Sequence, residues 1–184
     1  MSRSWGHHLP HLGSSGLAGY RDWLKSPGSL TARLVATCDD FRVEVLFQGL
    51  THLDADEARL FGLPDSRLAW VREVCLLCDD QSCIFARSVL PCLPRRGVDR
   101  LFHGLGSRSL GSMLFSSPAF TRGALSFCRH DAHLPLFRRA FAATGENSPL
   151  LWARRSLFAQ GGKYLLVAEV FLNELMQRPI PLLK

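Results

Sequence analysis

The run Leu165 to Leu172, LLVAEVFL, is apolar on both sides when extended. Alternation puts Leu165, Val167, Glu169 and Phe171 on one face and Leu166, Ala168, Val170 and Leu172 on the other. A strand with two apolar faces is buried on both, so the chain must build a sheet with material packed above and below it. WARRSLFAQ precedes this run across Gln160-Gly161-Gly162-Lys163, whose glycines suit a tight reversal, and the two segments read as a hairpin. Glu169 is the exception on its face. A carboxylate buried there is tolerated only with a partner.

A second hairpin lies earlier, in WVREVCLLCDDQSCIFARSVLP, Trp70 to Pro91. Trp70, Arg72, Val74, Leu76 and Cys78 share one face, and Val71, Glu73, Cys75 and Leu77 the other, so Arg72 sits on the more apolar side. A guanidinium keeps its proton, and its burial costs several kcal/mol unless an anion meets it. Two readings are open for these buried charges. In one they belong to internal ion pairs, Glu169 pairing with Arg72, Arg87, Arg154 or Arg155. In the other they mark the ends of a slot for a small flat ligand with a carboxylate at one end and a hydroxyl at the other. Arginine grips a carboxylate bidentately and an ionised glutamate can only accept, so an aromatic hydroxy acid fits the second reading.

FRVEVLFQG also alternates, with Phe41, Val43, Val45 and Phe47 on one face and Arg42, Glu44 and Gln48 on the other, as in a half-solvated strand. Helical spacing is confined to short stretches. These are Leu17 to Lys25, then SLTARLVA with Ser29 as N-cap, and DADEARLFGL with an acidic start. GVDRLFHGLGSRSLGSMLFSS supplies two more pieces joined at Leu105-Gly106-Ser107, the second packing through Leu110, Met113 and Leu114. From Arg129 to Ser148 the chain is more polar and lacks a clear period. Strands paired as hairpins rather than alternating with long helices predict an α+β fold, a single domain whose antiparallel sheet is covered by short helices around a buried ligand pocket. Residues 1–16, rich in Gly, Pro and Ser, are expected to form a flexible N-terminal segment, with the domain spanning 17–184.

The 184 residues suffice for one substantial core. A net charge of +6 comes from scattered arginines with no basic block, which does not support nucleic-acid binding. The opening lacks the apolar run of a signal peptide, and YLLVAEVFL is too short to span a bilayer, so a cytoplasmic protein without a transmembrane segment is expected, and a monomer. That compartment argues against disulfides among Cys38, Cys75, Cys78, Cys83, Cys92 and Cys128. Cys75 and Cys78 fall on opposite strand faces, which argues against a metal site, and the cysteines read as small buried hydrophobes. His7, His8, His11, His130 and His133 read as surface residues.

Several segments, in order from about Tyr20 to Leu172, resemble the chorismate pyruvate-lyase family. They are Trp70-Val71-Arg72-Glu73, Phe85-Ala86-Arg87-Ser88-Val89-Leu90-Pro91, Ser109-Leu110-Gly111 with Leu114-Phe115, Trp152-Ala153-Arg154-Arg155-Ser156, and Val167-Ala168-Glu169-Val170-Phe171-Leu172. The resemblance implies a small α+β protein that converts chorismate to 4-hydroxybenzoate and pyruvate, the entry to ubiquinone synthesis, without cofactor or metal. It implies that Arg72 binds the ring carboxylate and Glu169 the hydroxyl. Leu30 and Leu110 would contribute backbone groups to that carboxylate, beneath flaps that close over the ligand. Arg87 or Arg155 is assigned, from charge alone, to the enolpyruvyl carboxylate. Ala86 stands where other members carry glycine, and residues 130–149 look like an insertion. The rival expectation is a non-catalytic sensor domain that binds an aromatic acid.

Overall fold

The computed structural model describes residues 5–9, 18–92, 105–106 and 108–179. Its strands are β1 (Phe41–His52), β2 (Leu68–Cys78), β3 (Gln81–Pro91), β4 (Thr121–Arg122), β5 (Ser126–His130), β6 (Leu151–Gln160) and β7 (Lys163–Phe171). They form one antiparallel sheet in the order β1-β2-β3-β7-β6-β4, with β5 also paired to β6. The described helices are α1 (Ala18–Leu24), α2 (Leu30–Val35), α3 (Ala55–Phe61), α4 (Leu110–Ser116) and α5 (Pro135–Thr144), followed by a 3-10 turn at Asn173–Gln177. The expected α+β architecture is therefore present. The first helical piece expected before Leu105 lies outside the described residues.

Both expected hairpins form, and their turns explain why. Asp79 and Asp80 have φ of 53° and 65°, and Gly161 and Gly162 have 55° and 74°. Two successive left-handed residues give the turn whose twist matches that of the strands it joins.

β7 lies between β3 and β6, and both of its faces are covered. On one face Trp23 and Leu24 of α1 and Leu34 of α2 pack with Ile84, Trp152 and Phe171. Farther along that face Leu110 and Leu114 of α4 meet Leu90, Phe158 and Leu165. On the other, Phe137 and Ala140 of α5 pack on Phe85, Ala153 and Val170, and Ala58 of α3 on Val71, Val89 and Leu166. This two-sided burial is what the double apolar run of β7 requires.

Three expectations need correction. The first is the facing of β1. Its register slips between Val45 and Phe47, so Phe47 stands opposite Glu73 while Gln48 stands opposite Arg72. One extra residue at a bulge reverses the alternation beyond it. Gln48, expected opposite the Val43 and Val45 face, therefore joins it. The second is the polar stretch after Arg129, which contains α5, started by Pro135 at its first turn and ended by Gly145 at φ 65°. Under that helix His130 is buried, not on the surface, with its Nδ1 near the Asp131 carboxylate. The third concerns the cysteines. Cys38, just after α2, and Cys78, at the end of β2, form a disulfide with Cα atoms 5.3 Å apart. Denatured without reductant, the protein should take up alkyl label on four of its six cysteines, and on all six after reduction; labelling of six in both states would exclude the bond.

Part of the N-terminal segment is docked. Trp5 Nε1 donates to Asp56 at 3.2 Å, and Gly6 bridges to Phe127 of β5. Residues 1–4 and 10–16 of the expected flexible segment lie outside the described residues.

Candidate functional site

The pairing register decides which charges share a face. Arg72 of β2 stands opposite Ser88 of β3, which stands opposite Val167 of β7, which in turn faces Ser156 of β6. Two residues along, Ala86, Glu169 and Arg154 form the next row. Arg72 and Glu169 thus occupy one face, separated by two strand spacings of ~4.8 Å and a two-residue step of ~6.8 Å along the strand. A cavity lies over this patch, lined by Arg72, Ser88 and Glu169 from the sheet and by Thr31, Arg108 and Leu110 from the segments above. Its volume open to the centre of a water-sized sphere is about 30 Å³.

Arg72 is 2% exposed, yet it meets no carboxylate among the described residues. Its guanidinium donates to the Gln48 side-chain oxygen, to Gly106 O at 2.8 Å and to Arg108 O at 3.3 Å. Desolvation pulls its pKa below the usual arginine range. A cation held by neutral oxygens at the wall of a cavity has the charge and the donors that an anion requires. No internal ion pair holds it among the described residues.

For Glu169 the internal ion-pair reading is half correct. Oε2 accepts from Arg154 Nε at 2.7 Å, while Oε1 takes no hydrogen bond from the described residues. The carboxylate keeps an acceptor for something in the cavity it lines.

The helix starts close the cavity from above. Ser29 caps α2 by accepting from Ala32 N, and Ser109 caps α4 by accepting from Ser112 N, each at 3.3 Å. Capping satisfies the third amide of each helix and leaves the first two, on Leu30 and Thr31 and on Leu110 and Gly111, without an intrahelical acceptor. The two starts touch through Thr31 Oγ1 and Ser109 Oγ, 2.6 Å apart. At Gly111 an added Cβ would sit 3.4 Å from Thr31 Oγ1, so this position stays in contact with the opposing start. Leu30 itself turns its side chain into the core, and Thr31 beside it reaches the cavity.

Arg87 and Arg155 point to the other face of the sheet. Arg87 is 1% exposed and donates Nε and Nη2 to Glu57 at 2.7 and 3.0 Å and Nη1 to Glu73 at 2.7 Å. It is fully engaged in tying α3 to the sheet. Arg155 donates to Asp56 at 3.0 Å and lies 4.3 Å over the Trp5 ring, which seats the N-terminal segment. Neither lines the cavity over Arg72, so the assignment of either to a ligand carboxylate there is withdrawn.

Sequence reasoning missed Gln48, hidden by the bulge, and Thr31, Ser88 and Arg108, while Arg154 is one of the four partners it offered for Glu169. Ser88 was findable, as a hydroxyl in an apolar strand opposite Arg72. Among the described residues no cluster of three or more His, Cys, Asp or Glu side chains could hold a metal ion.

Comparison with known proteins adds sequence relatives and structural neighbours. The family model described as chorismate lyase matches residues 14–179. A "probable chorismate pyruvate-lyase" of Aromatoleum aromaticum is 48% identical over 164 residues, 88% of this chain and 89% of that protein. Another so named, of Dechloromonas aromatica, is 49% identical over 152 residues, 83% and 85% of the two chains. Among solved structures, a GntR-family transcriptional regulator of Bacillus cereus superposes with TM-score 0.55 at 9% identity, over 74% of this chain and 94% of that one. The C-terminal domain of PhnF also gives 0.55, at 13% identity over 72% and 82%. At such identities these two neighbours speak to fold alone.

Proposed function

The chain belongs to the chorismate lyase family, and we propose that the cavity over Arg72 and Glu169 is where it binds chorismate. It is a lyase that converts chorismate to 4-hydroxybenzoate and pyruvate, the first step of ubiquinone synthesis. The observation that carries the site assignment is Arg72, a buried cation on a cavity wall with no carboxylate partner among the described residues.

Chorismate carries a ring carboxylate, a hydroxyl para to it, and an enolpyruvyl ether on the carbon next to the hydroxyl. Arg72 takes the ring carboxylate with its planar fork, assisted by the spare amides of Leu30 and Leu110 at the two helix starts. Glu169 accepts from the hydroxyl through Oε1. Two attachment points at the para positions fix the ring, and the hydrogen on the hydroxyl-bearing carbon leaves as the ether C–O bond breaks. The lost hydrogen and the enolpyruvyl group together make pyruvate, and the ring becomes aromatic. The atoms of substrate and products balance without an oxidant or reductant, so the protein's task is to orient and to neutralise charge.

A 30 Å³ cavity admits a few waters at most. The α2 and α4 starts must therefore part for the ring to enter or leave, and a pocket fitted to both product groups releases 4-hydroxybenzoate slowly.

With Arg87 and Arg155 engaged on the other face, the enolpyruvyl carboxylate falls to Arg108, which lines the cavity immediately before α4. Replacing Arg108 by Met should raise KM for chorismate by about 10-fold, the size of one exposed charge-assisted contact. Affinity for 4-hydroxybenzoate, which lacks that carboxylate, should change less than about threefold. Equal loss for both ligands in titrations would rule Arg108 out.

The protein acts as a cytoplasmic monomer that binds no nucleic acid. Its net charge of +6 comes from scattered arginines with no basic block, and no described helix is long and apolar enough to cross a membrane. The sensor reading is not favoured, since relatives at 48–49% identity carry the lyase name whereas the regulator domains stand at 9–13%. Incubation of the purified protein with chorismate should yield 4-hydroxybenzoate and pyruvate in equal amounts, and persistence of chorismate with tight binding of 4-hydroxybenzoate would restore the sensor.

A further inference from the structure

Arg154 is among the largest fully buried side chains, at 1% exposure, and it lies directly opposite Glu169 in the β6–β7 register. Its guanidinium is held at two ends. Nε donates to Glu169 Oε2 at 2.7 Å, while Nη1 donates to Ser26 O at 2.7 Å, with Leu24 O and Trp23 O at 3.3 and 3.4 Å. Those carbonyls belong to the last turn of α1 and the chain just after it, where a cation complements the helix dipole. A planar group fixed in this way has one orientation, and it transmits that orientation to the carboxylate it grips.

We infer that Arg154 is a positioning residue that sets the recognition of the substrate hydroxyl, by locking Glu169 Oε2 so that Oε1 is presented to the cavity; this rests on the reading of Glu169 given above. Without the lock the glutamate has other rotamers available, and the hydroxyl loses a fixed acceptor while the carboxylate end at Arg72 is untouched. Arg122 cannot take over the role. It is committed to Ser156 Oγ at 2.9 Å and Pro27 O at 3.0 Å, and burial together with the like charge of Arg154 brings its pKa down to about 10. Arg154 touches no substrate atom in this scheme. Its effect passes through Glu169.

The readout that separates positioning from mere structure is selectivity between 4-hydroxybenzoate and benzoate, which share the carboxylate and differ by the hydroxyl. In titrations of the full chain, Arg154→Gln should cut the preference for 4-hydroxybenzoate about 10-fold while benzoate affinity moves less than about threefold, as expected for one charge-assisted bond lost at one end of the ligand. Arg154→Lys keeps a buried charge that cannot reach Glu169 and Ser26 O together, and should lower the ratio by about threefold. It serves as the deciding variant if Arg154→Gln does not fold. The double variant Arg154→Gln/Glu169→Gln should select no worse than Glu169→Gln alone, because both changes act on one interaction. If Glu169→Gln leaves the ratio unchanged, the reading of Glu169 fails. If Glu169→Gln lowers the ratio while folded Arg154 variants keep it, or lose both ligands equally, the positioning role is overturned and Arg154 only holds α1 to the sheet.

Discussion

Arg72→Lys should lower kcat/KM for chorismate by roughly 100-fold while leaving the fold intact. Lysine keeps the charge, so the field at the cavity wall is nearly preserved. What it loses is the fork. The guanidinium now spreads its donors between the Gln48 side chain, Gly106 O and Arg108 O and the cavity, and an ammonium cannot anchor to those oxygens and also present two parallel N–H groups to a carboxylate. The loss should appear for benzoate and 4-hydroxybenzoate alike, because both are held by the carboxylate. Circular dichroism and a melting curve close to those of the parent protein would show that the defect lies in binding. Near-full activity in Arg72→Lys would mean that charge alone suffices and that the bidentate argument is wrong.

Glu169→Gln should produce two effects together, because the two oxygens of Glu169 have different tasks. Neutralising Oε2 leaves the buried Arg154 with carbonyl partners only. That should cost on the order of 3 kcal/mol and lower Tm by roughly 6–12 °C for a chain of this length. At Oε1 an amide keeps size and some acceptor capacity but not charge, so 4-hydroxybenzoate affinity should fall by about 3- to 10-fold, with benzoate little changed. Turnover should persist in part. A drop of roughly 100-fold or more with unchanged product affinity would instead identify Glu169 as the base that removes the ring hydrogen. A lower Tm with unchanged selectivity would reduce Glu169 to a structural partner of Arg154.

The two central residues were legible in the sequence because each breaks a simple pattern. Glu169 interrupts a strand apolar on both faces, and Arg72 sits on the greasier side of its strand; strand parity needs no knowledge of the partner strands. The remaining charges could not be placed by parity alone. Arg87 differs from its neighbour Ser88 by one residue and therefore by a face, but which face carries the cavity depends on how β3 pairs with β2 and β7. Arg154 and Arg155 pose the same problem, and only the first shares the row of Glu169. Gln48 was misplaced because the bulge between Val45 and Phe47 is silent in hydrophobic alternation. α5 carries two adjacent arginines amid its apolar residues and is flanked by polar chain on both sides, yet Pro135 and Gly145 at its ends are start and stop signals that could have marked it. The Cys38–Cys78 bond joins residues 40 apart in sequence. Local pattern holds no record of such a pairing, and the argument from compartment pointed the other way.

The relation between the two faces explains how the protein combines a rigid sheet with a small closed cavity. Glu57, Glu73 and Arg87 fasten α3 beneath the sheet through fully paired charges. Above it, the starts of α2 and α4 meet through the hydroxyls of Thr31 and Ser109, with spare amides at the helix ends. The opening proposed for substrate entry is on the side where Arg72 and Glu169 lie.

A crystal structure with 4-hydroxybenzoate tests the central claim most directly. The product should lie in the cavity between the sheet and the α2 and α4 starts, its carboxylate within hydrogen-bonding distance of Arg72 and its hydroxyl against Glu169 Oε1, with Arg154 still on Oε2. Product bound elsewhere, or bound in the cavity with its hydroxyl at Arg72 and its carboxylate toward Glu169, would contradict the account.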